Sequence, residues 1–248
     1  MEEETGVRQI DQKRFIIAGL GGIGSVLSEK VSRFLNYKDG LYNIILVDGD
    51  RIEPKNLERQ DFQKVGGNKA EVKKEELQEK FDKLIFESFP RFINDQNISE
   101  IIEEKDIVLL CVDNHKTRKL VSDHCSNLKD VVLISGGNEL TDGNVQIFVK
   151  KNGEKITPSL LDYHKELQNP GDKSPEEMSC EELSKSEPQL YFTNLMAASY
   201  MCCALYNVMN QKYDYSEVYF DITTMKADSK IRKVKEQKKN FIEASVRI

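Results

Sequence analysis

The feature that most limits what this chain can fold into is Gly19-Leu20-Gly21-Gly22-Ile23-Gly24, a G-x-G-x-x-G run. It closes a short apolar stretch that begins at Arg14 (RFIIAGL) and opens a segment with apolar residues at Ile23, Val26, Leu27, Val31, Phe34 and Leu35, which is helical spacing. Strand, glycine turn and helix together place backbone N–H groups at a helix amino terminus where a phosphate can approach them. The run alone is a weak signal, since a tight strand-to-helix turn needs glycines too. What strengthens it is Asp48, at the end of the next apolar run, Asn43–Val47 (NIILV), where a carboxylate can accept from both hydroxyls of a ribose.

Alternation then continues along the chain. Ala70–Phe81 reads as a charged amphipathic helix, Leu84–Phe86 as a strand, Ile107–Val112 as a strand, His115–Asn127 as a helix and Val131–Ser135 as a strand. Strands alternating with helices predict a Rossmann-like, doubly wound, mostly parallel α/β sheet covered on both faces. After Gly136-Gly137 the pattern changes. Asn144–Lys150 (NVQIFVK) has the period of two of a half-buried antiparallel strand, and Glu217–Thr223 reads as a last one. Between them lies a polar stretch, 151–187, long enough to be a mobile crossover loop, and Lys226–Lys239 carries seven basic and two acidic residues. The whole chain, 1–248, is expected to be one domain.

An NAD-dependent Rossmann protein would share the first half of this pattern. The segment Leu46–Phe62 (LVDGDRIEPKNLERQDF) separates the two readings. Asn56, Arg59 and Gln60 follow closely on Asp48 and Asp50, and Lys69 stands ten residues past Arg59 on what the spacing makes a loop outside the core. Two cations near a phosphate site suit a triphosphate better than a dinucleotide. Asp113, in Cys111-Val112-Asp113-Asn114, follows the fourth strand, where ligands bind in open parallel sheets, and a carboxylate there beside polyphosphate suits a bridging Mg²⁺. Each residue also has a plainer use: Asp50 or Glu53 can pair with Arg59, and Asp113-Asn114 can cap a helix.

From about Phe15 to Lys150 these motifs, G-x-G-G-x-G-S, D-x-D-x-x-x-x-x-N-L-x-R-Q, a lysine after V-G-x-x-K and C-x-D-N, resemble the ThiF/MoeB and ubiquitin-activating (E1-like) enzymes. The resemblance implies ATP-dependent adenylation of the carboxyl-terminal glycine of a ubiquitin-like protein. It places Gly19, Gly21, Gly22 and Gly24 at the nucleotide, Asp48 and Asp50 near the ribose, Asn56, Arg59, Gln60 and Lys69 on the triphosphate, and Asp113 on Mg²⁺ held through ATP. A homodimer that buries the charge-free Leu190–Met209 helix or its neighbours is expected separately, because such a helix after a parallel sheet has more apolar surface than one sheet face usually covers. Many members bind a structural zinc through two C-x-x-C pairs; this chain has neither pair, so no zinc is expected. Members often lend an arginine to the partner subunit from an amino-terminal extension, for which Arg8 is the sole candidate ahead of the first strand.

Of the five cysteines, Cys111, Cys125, Cys202 and Cys203 read as ordinary core positions, whereas Cys180 lies in the polar stretch. There Ser179-Cys180-Glu181-Glu182 forms an S-x-x-E capping box that would set Cys180 at a helix start, where the dipole favours a thiolate. Cys180 is therefore the candidate thioester nucleophile for transfer to a conjugating-enzyme partner. This segment and the Gln189–Asn194 spacing resemble the small bacterial PRTRC-type branch. Alternatives are a sulfur-carrier adenylyltransferase without a thioester step, a tRNA-modifying dehydratase of ThiF type, and an NAD-binding Rossmann protein. His115, His124 and His164 match no catalytic spacing and read as solvated or capping residues.

Charge and composition narrow the partners. Thirty-six Lys+Arg against 42 Asp+Glu give a net charge of -6, which disfavours nucleic acid. No apolar signal core is visible at the amino terminus and the cysteine count is odd, so a reducing, cytoplasmic compartment is expected. Leu190–Met209 lacks charged residues over 20 positions, but Thr193, Asn194, Ser199 and Asn207 argue for a helix buried in the core or in a subunit interface, not for a membrane span.

Overall fold

In a computed structural model of the chain, residues 12–173, 177 and 189–234 are described. They form a nine-stranded sheet in the order β3-β2-β1-β4-β5-β6-β8-β9, with β7 paired to β6. The elements are β1 (Lys13–Ala18), α1 (Gly22–Asn36), β2 (Tyr42–Val47), α2 (Lys69–Lys80), β3 (Ile85–Phe89), α3 (Ile98–Ile101), β4 (Ile107–Leu110), α4 (His115–Asn127), β5 (Val131–Asn138), β6 (Asp142–Lys151), β7 (Glu154–Lys155), α5 (Leu160–Tyr163), α6 (Tyr191–Met209), β8 (Glu217–Asp221) and β9 (Lys226–Lys230). The β3–β2, β2–β1, β1–β4 and β4–β5 pairs are parallel, and the β5–β6, β6–β8 and β8–β9 pairs are antiparallel.

Period-two alternation splits the central strands between two cores. Phe15, Ile17, Ile44 and Leu46 face α1, α2 and α6, whereas Ile16, Ala18, Ile45 and Val47 face α3, α4 and α5. Buried on both faces, these strands read as unbroken apolar runs. α1 turns Val26, Leu27, Val31 and Leu35 inward together with fully buried Ser28 and Ser32. The two hydroxyls donate to carbonyls one turn back, Ser28 Oγ to Ser25 O at 3.0 Å and Ser32 Oγ to Ser28 O at 2.7 Å, so the small side chains keep α1 close to the sheet without an unmet polar group.

The charge-free segment is α6. It buries Ala197, Ala198, Met201, Ala204, Leu205 and Val208, and it packs on α1, β5 and β6. Burying Met201, Leu205 and Val208 contributes about 1.5–3 kcal/mol each, and the alanines between them permit the close approach. Its outer face leaves Phe192 71% and Tyr206 50% exposed. No helix among the described residues is long and apolar enough to cross a membrane.

Several boundaries differ from the sequence expectation for physical reasons. α2 starts at Lys69, because Asn68 Oδ1 accepts from Ala70 N (2.8 Å) and Glu71 N (3.3 Å) as its cap. β5 runs on through Gly136-Gly137 to Asn138, because β6 pairs with it as far as Asn138↔Gly143. The basic segment after Lys226 is not a loose tail at its start: Lys226–Lys230 is strand β9, paired with β8. Within 151–187, β7, α5 and a turn of 3-10 helix at Lys165–Leu167 are present, and Leu160 and Leu167 are buried in the second core.

Candidate functional site

Strand order reverses between β1 and β4, and the loops leaving the carboxyl ends of those two strands flank a cleft of about 1460 Å³. Gly19, Asp48, Arg59, Lys69, Asp113 and Arg118 are among the residues lining it. The glycine turn is forced in two places. Gly19 has φ +86°, and a Cβ on Gly24 would lie 1.8 Å from the Gly19 carbonyl oxygen. Gly21 caps α1 with open space where a Cβ would be, so the helix amino terminus is presented to the cleft.

Asp48 is buried directly under this turn. Its Oδ2 accepts from Leu20 N at 2.6 Å and its Oδ1 from Asp50 N at 2.8 Å, tying the ends of β1 and β2 together. Burial pushes the Asp48 pKa above the ordinary carboxylate value, while Lys69 and the two N–H donors pull it back. Lys69 is itself buried, the first residue of α2 and not part of an outer loop, and its Nζ meets Asp50 Oδ2 at 3.0 Å. Asn68 completes the unit: its Nδ2 donates to Asp48 O (2.9 Å) and Asp50 O (3.1 Å) while its Oδ1 caps α2. Asn68 was absent from the sequence reading, although an asparagine just ahead of an amphipathic run is a helix-start signal.

The loop carrying Asn56, Arg59 and Gln60 is fixed by its own chain and by three helices. A capping box joins Glu53 and Asn56, with Asn56 Oδ1 accepting from Glu53 N at 2.8 Å, so this oxygen of Asn56 shapes the turn. Ser25 of α1 accepts from Asp61 N at 3.0 Å, Asn194 of α6 donates to Arg59 O at 3.3 Å, and Lys73 of α2 donates to Asp61 O. Lys73 also meets Glu76 at 2.7 Å and lies 4.6 Å from the centre of the Phe62 ring. Arg59 is thereby held half-buried at the cleft. Gln60 is buried with its Oε1 unpaired among the described residues. Of the plainer pairings open to the sequence, Asp50 binds Lys69 and Glu53 binds Lys55 at 2.7 Å.

Across the cleft, Asn114 caps α4 by accepting from Thr117 N at 2.7 Å, while its neighbour Asp113 is exposed. Behind Asp113 stands Arg118, whose Nε donates to Val112 O (2.9 Å) and Nη2 to Gly136 O (2.8 Å). Burial pulls the Arg118 pKa down and Asp113, Cys111 and Asp172 push it up; the guanidinium stays charged. Asp172 takes the His115 N–H at 2.5 Å. Neither Arg118 nor Asp172 was singled out in the sequence, where one looks like a solvated helix position and the other like loop. Among the described residues no group of three His, Cys, Asp or Glu side chains stands ready to hold a metal ion. Asp113 could supply one carboxylate to a cation already carried by a polyphosphate.

The remaining expectations divide. Cys180 and Arg8 lie outside the described residues. Cys111 and Cys125 are buried, and burial pushes both thiols far up; Cys202 is half-buried and pushed to about 11. Cys203 is exposed on α6 and not a core position. His164 stands between α5 and the Lys165–Leu167 turn as a cap position of both, but its side chain is not solvated: Nε2 meets Glu217 Oε1 and Nδ1 meets Glu166 Oε1, each at 2.7 Å.

This arrangement, a helix amino terminus, a buried carboxylate, two cations and an opposed aspartate around one cleft, can hold an anionic nucleotide. Known proteins resemble the chain in fold and in sequence. The chain is 29% identical over 163 residues to the molybdopterin-synthase adenylyltransferase of Haemophilus influenzae, covering 64% of this chain and 63% of that protein. It is 32% identical over 147 residues to the adenylyltransferase and sulfurtransferase MOCS3 of Drosophila virilis, covering 58% of this chain and 31% of that one. The chain thus spans from about a third to under two thirds of these relatives. Among solved structures, E. coli MccB with ATP superposes with a TM-score of 0.68 at 21% identity, covering 90% of this chain and 64% of that one. The microcin C7 biosynthetic enzyme MccB with N-formylated MccA gives 0.70 at 22% identity, over 90% and 65%. A sequence model described as the ThiF family matches residues 2–242, and the chain belongs to that family.

Proposed function

We propose that this chain is an ATP-dependent adenylyltransferase acting on the carboxyl terminus of a small protein, a ubiquitin-like protein ending in glycine. The observation that carries the reading is the convergence of Arg59 and Lys69 with the Gly19–Gly24 turn and Asp113 on one cleft at the switch point of the sheet. A carboxylate oxygen of the partner attacks the α-phosphorus of ATP, the bond to the β-phosphate oxygen breaks, and pyrophosphate leaves with the negative charge that builds up. That chemistry needs alignment and charge neutralisation and no general base. In this reading the amino terminus of α1 and Gly21-Gly22 meet the phosphates, and Asp48 orients the ribose while bracing the turn. Asn56, Arg59, Gln60 and Lys69 hold the polyphosphate, and Asp113 holds Mg²⁺ with it. Lys69 leaves Asp50 for phosphate or bridges both.

Activation is followed by transfer. The Cys180 thiolate attacks the acyl carbon of the adenylate, AMP leaves, and a thioester holds the activated glycine for a conjugating enzyme. The second reading, a sulfur-carrier adenylyltransferase that stops at the adenylate, is favoured by the similarity to a molybdopterin-synthase adenylyltransferase. In both readings the enzyme is a homodimer joined through the outer face of α6. The test is ATP–pyrophosphate exchange, which must depend on a Gly-Gly-ended partner protein; exchange that ignores the partner, or none, removes the reading. Non-reducing gels of wild type and Cys180→Ala then decide the second step. A reducible adduct lost only in Cys180→Ala supports the thioester, and adenylation without any adduct supports the sulfur-carrier reading.

A further inference from the structure

Past the nucleotide half, the same cleft runs over the face of β5, β6 and β8 that lies under α4 and α5. Register defines what that face presents. Leu133 and Phe148 pair in its apolar floor, so Ser135 and Gln146, each two residues nearer the cleft and paired with each other, point the same way. Glu217 extends this row from β8, and the next row is Gly137, Asn144 and Tyr219. Ser135 also pairs with Leu110, three residues before Asp113, which sets the patch beside the reacting end of the cleft.

Ser135 and Gln146 are each 2% exposed and line the cleft, yet Ser135 Oγ and Gln146 Nε2 have no hydrogen-bond partner among the described residues. Their neighbour Glu217 does not meet this need. Its carboxylate is already held by Asn144 Nδ2 (3.0 Å), His164 Nε2 (2.7 Å) and Arg232 (3.2 Å); burial pushes its pKa up, but the bonds from His164, Tyr219 and Asn144 outweigh that and bring it down to about 2. A buried amide N–H and hydroxyl left unmet cost free energy that a ligand acceptor recovers. The Arg118 guanidinium lies against Gly137 at the edge of the same patch. The patch is on the sheet face where the Ser135–Gln146 pair lines the cleft, and it suits an extended chain.

We propose that Ser135 and Gln146 bind the main-chain carbonyl oxygens of the partner's carboxyl-terminal tail, one or two residues before the carboxylate that is activated. This rests on the adenylation reading and assigns it a tail-reading subsite. Both are positioning residues: they hold the tail, and neither touches the phosphorus. A tail of glycines has only its backbone to be recognised by, and two donors opposed across β5 and β6 are a means of doing so.

The experiment measures binding of a fluorescein-labelled six-residue peptide ending in Gly-Gly, and separately of ATP, to the full chain. Ser135→Ala and Gln146→Leu should each weaken peptide binding about five- to tenfold with the Kd for ATP unchanged, and Ser135→Thr should restore it. A peptide with a thioamide at its last peptide bond should bind wild type more weakly and the two variants as weakly as the ordinary peptide. Unchanged peptide Kd in both variants, or no binding of the peptide by wild type, overturns the proposal. So does a loss of ATP affinity in step with peptide affinity. If the peptide Kd shifts as stated while wild type catalyses no pyrophosphate exchange, the adenylation reading fails and the subsite stands.

Discussion

On the nucleotide side of the cleft, Asp48 has both oxygens engaged, Lys69 is paired with Asp50, and Asn56 holds its own turn; Gln60 Oε1 is the exception. On the β5–β6 side, Ser135 and Gln146 are as deeply buried and are left unpaired. The difference separates two ways of preparing a site. Lys69, a buried charge, is held in place by Asp50, a neighbour of opposite sign, because an unpaired buried charge is too costly to keep. Neutral donors cost less to leave waiting, so a subsite for a polypeptide tail can be kept open.

Breaking the prepared side should give the largest effects. Arg59→Ala and Lys69→Met should lower pyrophosphate exchange by some hundreds of fold, since each loses about 3–4 kcal/mol of transition-state stabilisation. Methionine is chosen at position 69 because that side chain is buried, and alanine would add a packing defect. Thermal melts of both variants within a few degrees of wild type, together with near-normal exchange, would remove the assignment. Gly24→Ala acts on the frame itself. Its Cβ would meet the Gly19 oxygen at 1.8 Å, so the unfolding free energy read from denaturant titration should fall by the upper part of the range of about 1–3 kcal/mol seen for overpacking. A variant as stable as wild type would show that the turn can rearrange.

Smaller effects sharpen the contrast. Asp113→Ala should reduce exchange and flatten its dependence on Mg²⁺; activity that still rises with Mg²⁺ as in wild type would remove the metal role. Phe192→Asp on the outer face of α6 should shift sedimentation from dimer to monomer with little change in melting, because Phe192 is 71% exposed in the single chain.

The smallest effect concerns the roof of the β5–β6 side, where His164 is clasped to Glu217. Glu217 and Glu166 raise the His164 pKa above 6.5, against the effect of burial. Glu217 is lowered from 4.5 to about 2, with Arg232, Tyr219 and Asn144 around it. The histidine contribution is complete below 6.5 and lost as pH rises through its raised value; the glutamate contribution is complete above 4.5 and lost as pH falls toward 2. Amide exchange of 157–168 should therefore quicken, beyond its intrinsic pH dependence, on going from pH 6 to 8.5 in wild type. The pH-linked part should vanish in His164→Gln. Equal behaviour of the two proteins would show that the clasp does not hold this segment.

The half of the cleft around the glycine turn was legible because its determinants are local. Gly19 to Gly24 occupy one turn, Asp48 ends a strand, and the apolar runs of β1, β2 and β4 announce a parallel sheet on their own. His115–Asn127 was placed to the residue for the same reason, since Asn114 supplies its cap from the adjacent position. Lys69 was found as a residue but misplaced as outer loop: a lysine opening a charged helix reads as solvated until Asp50, 19 positions earlier, is seen to meet it.

What sequence alone determined, then, is the alternation of strands and helices in the parallel half and the residues that crowd the glycine turn into α1, because these depend on periodicity and on near neighbours. Only the tertiary structure decided that Asn194 holds Arg59 from 135 positions away and that His164 meets Glu217 across 53. It also decided that Ser135 and Gln146 face each other, because β6 returns antiparallel along β5 in one register. A one-residue slip of β6 along β5 would turn Gln146 to the opposite face, away from Ser135. Polar residues at isolated positions look alike in a sequence; which of them are buried, and whether a partner meets them, is fixed only when the sheet closes its pairings.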